Sequence, residues 1–114
     1  MKKINILKSN NDYNRIIQNN IPFKNKEYMI FIEKNINDVY KFGFSVSKKL
    51  CGAVNRNRLK RQLKSIIDKN DYQNNFNCII MIRKSILNCS YEQMEISLNE
   101  CLKKINIIKK GEKK

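Results

Sequence analysis

FGFSVSKKLCGAVNRNRLKRQLK, residues 42–64, changes its repeat partway along. Up to Ser47 the side chains alternate: Tyr40, Phe42, Phe44 and Val46 fall on one side, and Lys41, Gly43, Ser45 and Ser47 on the other. That is the two-residue period of a strand with an apolar core face and a face of small polar residues. Beyond Gly52 the period is helical. Leu59, Leu63, Ile66 and Ile67 form one stripe, while Lys60, Arg61 and Lys64 project from other sides of the same helix. A strand that passes through a glycine into an amphipathic helix anchors the prediction of a mixed α and β domain.

Reading outward, Tyr28 to Glu33 alternates Tyr28, Ile30 and Ile32 against Met29, Phe31 and Glu33, as a second strand does, and Asn35 to Asp38 supplies turn chemistry. The spacing predicts a hairpin between this strand and the one beginning at Tyr40. Upstream, Tyr13, Ile16 and Ile17 lie at i, i+3 and i+4, so a short helix is expected over Asp12 to Asn19, capped by Asn10 or Asn11, before Pro22 forces extended chain. Downstream, Asn70 to Asn75 is a polar break and Cys78 to Ile82 an apolar strand for the sheet interior. Ser90 with Gln93 has the spacing of a capping box, opening a last helix that buries Met94, Leu98, Cys101, Leu102 and Ile105. The expected architecture is a single-domain α+β sandwich over residues 1–114, with helices covering one sheet face and a basic frayed tail from about 106 to 114.

The chain carries 24 Lys and Arg against 10 Asp and Glu, a formal net charge of +14, with 41% hydrophobic residues. Such a chain can fold around one modest core and still present a large cationic surface, so polyanions are the expected partners. The charge is uneven: residues 41–64 hold Lys41, Lys48, Lys49, Arg56, Arg58, Lys60, Arg61 and Lys64 and no acid. Histidine is absent, which removes every mechanism that needs an imidazole base or ligand. Cys51, Cys78, Cys89 and Cys101 form no C-x-x-C pair and are read as free packing thiols suited to a reducing compartment, and a cytoplasmic location is expected. The first residues lack the apolar core of a signal peptide, and no apolar run is long enough to span a bilayer.

Two superficial motifs dissolve on inspection. GFSVS at Gly43 ends on Ser47 where a nucleophile elbow needs glycine, and no histidine is present to activate a serine. Glu92 with Glu95, and Asp68 with Asp71, are three apart near helix ends, where carboxylates tune dipoles and solubility. RNRLKR, residues 56–61, is different, although a charge run is usually a solvated face. It gathers three of the five arginines into the first turns of a helix, where free backbone N–H groups and the dipole already favour phosphate. Arginine's planar fork engages two phosphate oxygens or stacks on a base, which lysine cannot do. Nucleic acid is the expected ligand.

Taken whole, FGFSVSKKLCGAVNRNRLKRQLK resembles the signature of the bacterial ribonuclease P protein component. DYNRII resembles that family's opening helix, YMIFIEK its first long strand, CIIMIRK its later strand and SYEQMEISLNECLKK its last helix, in the family's order. The resemblance implies a small α/β sandwich with a mixed sheet and a left-handed β-α-β crossover, like that of a ribosomal-protein domain. It also implies a protein subunit whose partner is a catalytic RNA, in an enzyme that removes the 5′ leader from precursor tRNA. Mg²⁺ bound by the RNA would carry the chemistry, with no catalytic residue, cofactor, membrane or obligate protein partner implied for the chain itself. Carried over by position, Lys48, Lys49, Arg56, Asn57, Arg58, Lys60, Arg61 and Lys64 would face the catalytic RNA. Tyr13, Ile17, Phe31, Ser45 and Ser47 would form the leader-binding cleft. Phe31 shares a strand face with Glu33, and the next strand's polar face carries Ser45, so the aromatic is expected to be a stacking platform. Cys51 stands where the family usually has glycine, and Tyr13 and Ile17 where phenylalanine is common. The competing classes are a structural RNA-binding protein of ribosomal type and a nuclease acting alone.

Overall fold

The structure, a computed structural model, describes residues 1–109. In chain order its elements are α1 (Asn10–Asn19), β1 (Phe23–Lys24), β2 (Tyr28–Lys34), β3 (Tyr40–Ser45), α2 (Ala53–Ile67), β4 (Phe76–Ile82) and α3 (Tyr91–Ile105), with 3-10 turns at Lys3–Asn5 and Lys84–Asn88. The four strands form one sheet in the order β1-β2-β4-β3.

That order replaces the expected hairpin. The chain does turn after β2, but β4 lies between β2 and β3, antiparallel to the first (Ile30 opposite Ile80) and parallel to the second (Phe42 opposite Cys78). The reason lies in what each strand can bury. β4 is apolar on both sides, with Cys78, Ile80 and Ile82 on one and Ile79 and Met81 on the other, and only a central position covers both. β3 has Gly43 and Ser45 on its second face and takes the edge, joined to β4 by the crossover through α2.

The helices likewise occupy both faces of the sheet, where the sequence pattern suggested one. Leu59, Leu63, Ile66 and Ile67 of α2 and Met94, Leu98, Cys101 and Leu102 of α3 pack on Tyr28, Ile30, Phe42, Phe44, Cys78 and Ile80 in the main core. On the other face Ile16 of α1, with Leu7, covers Phe31 and Ile79 in a smaller second core. The odd-numbered residues of β2 and β4 are too apolar to face water, and α1 is the element that shields them.

Local signals explain the ends of the helices. Ser9 caps α1, its Oγ accepting from the Asp12 N–H at 3.4 Å, one residue before the predicted caps, and Asn10 and Asn11 are already helical. At α3 the capping box forms as predicted: the Gln93 N–H donates to Ser90 Oγ at 3.1 Å and the Ser90 N–H to Gln93 Oε1 at 2.9 Å. α3 stops at Asn106, whose φ of 69° is left-handed. The tail that follows is tied down as far as it is described. The Gln73 N–H donates to the Ile107 carbonyl at 3.0 Å and the Lys109 N–H to the Asp71 carbonyl at 2.8 Å, while Ile107 is buried. The apolar Ile107 adds to the main core and holds the segment in place; Lys110, Lys113 and Lys114 lie outside the described residues.

All four cysteines are free thiols. Cys78 and Cys101 are core residues, and burial pushes the Cys101 thiol up to about 11. Among the described residues no helix is long and apolar enough to cross a membrane.

Candidate nucleic-acid interface

α2 begins with nothing over its first turn. Gly52 is the N-cap and has no side chain to accept from the free N–H groups, and no acid lies in the first turn. The Arg56 guanidinium folds back to donate from Nη1 to the Cys51 carbonyl at 3.0 Å, which holds one cation beside those amides. The preceding turn is built by Ser47: its carbonyl accepts from the Leu50 N–H at 3.0 Å and its Oγ from the Lys49 N–H at 3.1 Å. Lys48 and Lys49 are thereby exposed next to the helix start. Cys51 packs its side chain against the main core. Burying Leu59, Leu63, Ile66 and Ile67 turns Asn57, Arg58 and Arg61 to solvent.

The seven basic side chains and Asn57 do not make one uniform face. Lys60 lines a groove of about 600 Å³ between α2, α1 and β3, together with Tyr13, Ile17, Phe44 and Ser45. The groove therefore joins three of the five residues expected in a leader cleft to one expected on the catalytic-RNA face. The other two lie elsewhere. Phe31 is only 4% exposed, beneath α1 with Ile16, Leu7 and Ile79, so it is a core residue and not a stacking platform. Its strand face is polar only at Glu33, and α1 covers the rest. Ser47 is absent from the groove lining and is exposed in the turn, where its Oγ accepts from the Lys49 N–H. Lys8 and Asn14, and Asn10, which the sequence suggested only as a cap, also line the groove. Asn10, Tyr13, Asn14 and Ile17 stand at i, i+3, i+4 and i+7, one helical face whose spacing is legible in the sequence.

Tyr13 is fixed by an unusual contact. The segment before α1 pairs in parallel with the free edge of β3, Ile6 beside Phe42, the Leu7 N–H donating to the Phe42 carbonyl at 2.8 Å. The next rung of such a ladder would run from the Phe44 N–H to the Leu7 carbonyl. The Tyr13 hydroxyl is inserted there instead, accepting from Phe44 at 3.1 Å and donating to Leu7 at 3.3 Å. Burial raises its pKa, partly opposed by the Phe44 N–H. The ring lies over Gly43, where a Cβ would come within 2.5 Å of the hydroxyl oxygen. On the far side of α1, Arg15 grips Glu33 through two bonds, Nε to Oε2 at 2.9 Å and Nη2 to Oε1 at 2.8 Å, and also reaches Asp12 at 2.6 Å. Asn77 donates to the same Glu33 at 2.8 Å, and Arg15 above all holds the Glu33 carboxyl below its ordinary value. α1 is thus fastened to the sheet along both of its sides.

Among the described residues no three His, Cys, Asp or Glu side chains converge to hold a metal ion. Asp12 and Glu33, the carboxylates brought together beside α1, are both engaged by Arg15. What this surface can do is bind anions along α2 and accept an unstacked strand beside Tyr13.

Comparison with known proteins identifies the family. A family model described as Ribonuclease P matches residues 1–106. The ribonuclease P protein component of Mycoplasma mobile is 33% identical over 107 residues, spanning 93% of this chain and 94% of its own length. That of Streptococcus pneumoniae is 31% identical over 113 residues, spanning 97% and 92%. Among solved structures, the RNase P protein of Staphylococcus aureus is similar with a TM-score of 0.83 at 27% identity, over 92% of this chain and 98% of its own. The Thermotoga maritima RNase P protein, at 24% identity and a TM-score of 0.79, shares the fold over 88% of this chain and 96% of its own.

Proposed function

Because this chain belongs to the ribonuclease P protein family, and is thereby a protein subunit of the ribonuclease P endoribonuclease, we propose that its two RNA surfaces meet along α2. Membership carries association with the enzyme's RNA subunit. Lys48, Lys49, Arg56, Asn57, Arg58, Arg61 and Lys64 contact that RNA, and the groove of Tyr13, Ile17, Phe44 and Ser45 receives the single-stranded 5′ leader of precursor tRNA. Lys60 stands on the boundary and neutralises leader phosphate. Mg²⁺ held by the RNA supplies the hydrolytic chemistry when bound, and the protein acts in the cytoplasm by positioning substrate. The observation that carries this reading is the groove itself: one wall is the helix with the uncapped cationic start, and the other is a tyrosine locked in place by backbone bonds. The relatives favour it over a structural RNA-binding role of ribosomal type.

The test combines cleavage and binding. Precursor tRNA is incubated with protein alone, catalytic RNA alone and both, and acceleration that requires both is the expected result. Cleavage by protein alone, or no acceleration, overturns it. Tyr13→Ala loses stacking worth about 1–3 kcal/mol per base, seen with precursor tRNA and not with mature tRNA. Phe31→Ala instead lowers stability by about 3–5 kcal/mol, as for other buried phenylalanines, and impairs both substrates alike.

A further inference from the structure

α2 borders a second groove on the side away from α1. Leu59, Ile86 and Met94 form its floor, being 6%, 1% and 2% exposed, and it encloses about 240 Å³. Asn55, Arg58 and Gln62 stand at its mouth with Leu87, which remains 46% exposed. Among the described residues no hydrogen bond within the chain engages the side chains of Asn55, Arg58 or Gln62, in contrast to Arg56, which is tied to Cys51. A drug-sized ligand needs about 300–1,000 Å³, so this cavity is matched to a single ring system. A carboxamide both donates and accepts, and two of them beside a dry floor fit a flat group that is apolar on its faces and polar at its edge. Arg58 supplies a cation for whatever anion adjoins that group, and residues 41–64 contain no acid that would compete. Flat, edge-polar and linked to an anion describes a nucleotide, and proteins that read RNA take up such splayed bases from unpaired segments.

We propose that this groove takes one unstacked base of the catalytic RNA, with Asn55 and Gln62 against the base edge and Arg58 on the adjoining phosphate. The proposal rests on the reading that the chain binds the catalytic RNA. It adds a base-specific contact on the flank of α2 away from the leader groove, so that the helix binds by more than charge.

The experiment maps base accessibility on the full catalytic RNA with dimethyl sulfate and carbodiimide, bound by wild-type protein, Leu87→Asp, Gln62→Ala and Ile96→Asp. Ile96 lies on α3, is 56% exposed and does not line the groove, so it controls for an added carboxylate. The expected result is one unpaired base protected by wild type and by Ile96→Asp. Leu87→Asp exposes that base and weakens RNA affinity on the order of tenfold, the scale of one lost stacking contact. Gln62→Ala exposes the same base while the rest of the footprint stays. Melting curves accompany each variant, and if Leu87→Asp fails to fold, Gln62→Ala decides alone. A footprint in which no base depends on Leu87 or Gln62 overturns the proposal and leaves the groove to a protein partner. Wild-type protein that does not bind the catalytic RNA overturns the proposed function as well, so the two failures are distinguishable.

Discussion

Tyr13 shows how much one hydroxyl can settle. Phenylalanine would fill the same space, but only tyrosine bridges the Phe44 N–H to the Leu7 carbonyl and so closes the ladder at the edge of β3. Gly43 makes the arrangement possible by close approach: a Cβ there would lie 2.5 Å from the hydroxyl oxygen and 2.7 Å from Cζ. Gly43→Ala must therefore push the ring out and break both bonds, at a cost of roughly 1–3 kcal/mol for the backbone groups left without a partner. The expected outcome is a lower melting temperature together with weaker binding of precursor tRNA and unchanged binding of the catalytic RNA. Equal affinity of Gly43→Ala and wild type for precursor tRNA would remove Tyr13 from the leader site. None of this was visible in the sequence, where Gly43 and Tyr13 are thirty residues apart and only the small polar face of the strand could be seen.

At the level of elements, α2 leaves its own start bare. An added Cβ at Gly52 meets nothing within 4 Å and its backbone is extended, so neither space nor φ demands glycine there. Gly52→Asp would place a carboxylate where it caps the first turn and complements the dipole. Stability should hold or rise by a few tenths of a kcal/mol, while affinity for the catalytic RNA falls because the carboxylate occupies the place of a phosphate. A calorimetric scan beside a filter-binding titration checks both halves, and a more stable variant that binds RNA as well as wild type would show that the free amides are not used. α1 has its own fastening, the Arg15–Glu33 pair. Glu33 is held below its ordinary value, so the pair's contribution is complete above the usual glutamate value of about 4.3 and is lost as pH falls from there through the folded value. Hydrogen exchange at α1 amides should therefore quicken in that window before exchange in α2 or α3 does. Glu33→Gln should abolish the step.

For the molecule as a whole, electrostatics decides how it meets RNA. Eight of the 24 basic residues lie in residues 41–64 with no acid, and most of them are on a single helix and the turn before it. If that segment neutralises about five phosphates, log K against log[salt] falls with a slope of roughly −3.5 to −4.5, bounded by the single-strand and duplex coefficients. Titrations from low to moderate salt measure it, and removing Arg61 should flatten the slope by somewhat under one. A slope near zero would mean that apolar contacts carry the binding. Of the acids elsewhere, Glu95 is paired to Lys69 at 3.0 Å and Glu33 to Arg15 at 2.8 Å.

The sequence by itself determined what local periodicity and local chemistry can carry. The α2 stripe, the core face of β3, the capping box at Ser90, the free cysteines and the acid-free cationic segment were all legible, because each depends on residues within about two turns of one another or on composition alone. The tertiary structure decided what depends on competition for burial between distant segments. β4 displaced the expected hairpin because its two apolar faces had to be covered at once, α1 was drawn to the second face for the same reason, and Phe31 became core when it was. Ile107 joined the main core and tied down a segment that its lysines had marked as frayed. The groove that joins Lys60 to Tyr13 exists only after those choices, since it is the space left between a helix on one face and the strand edge beside it.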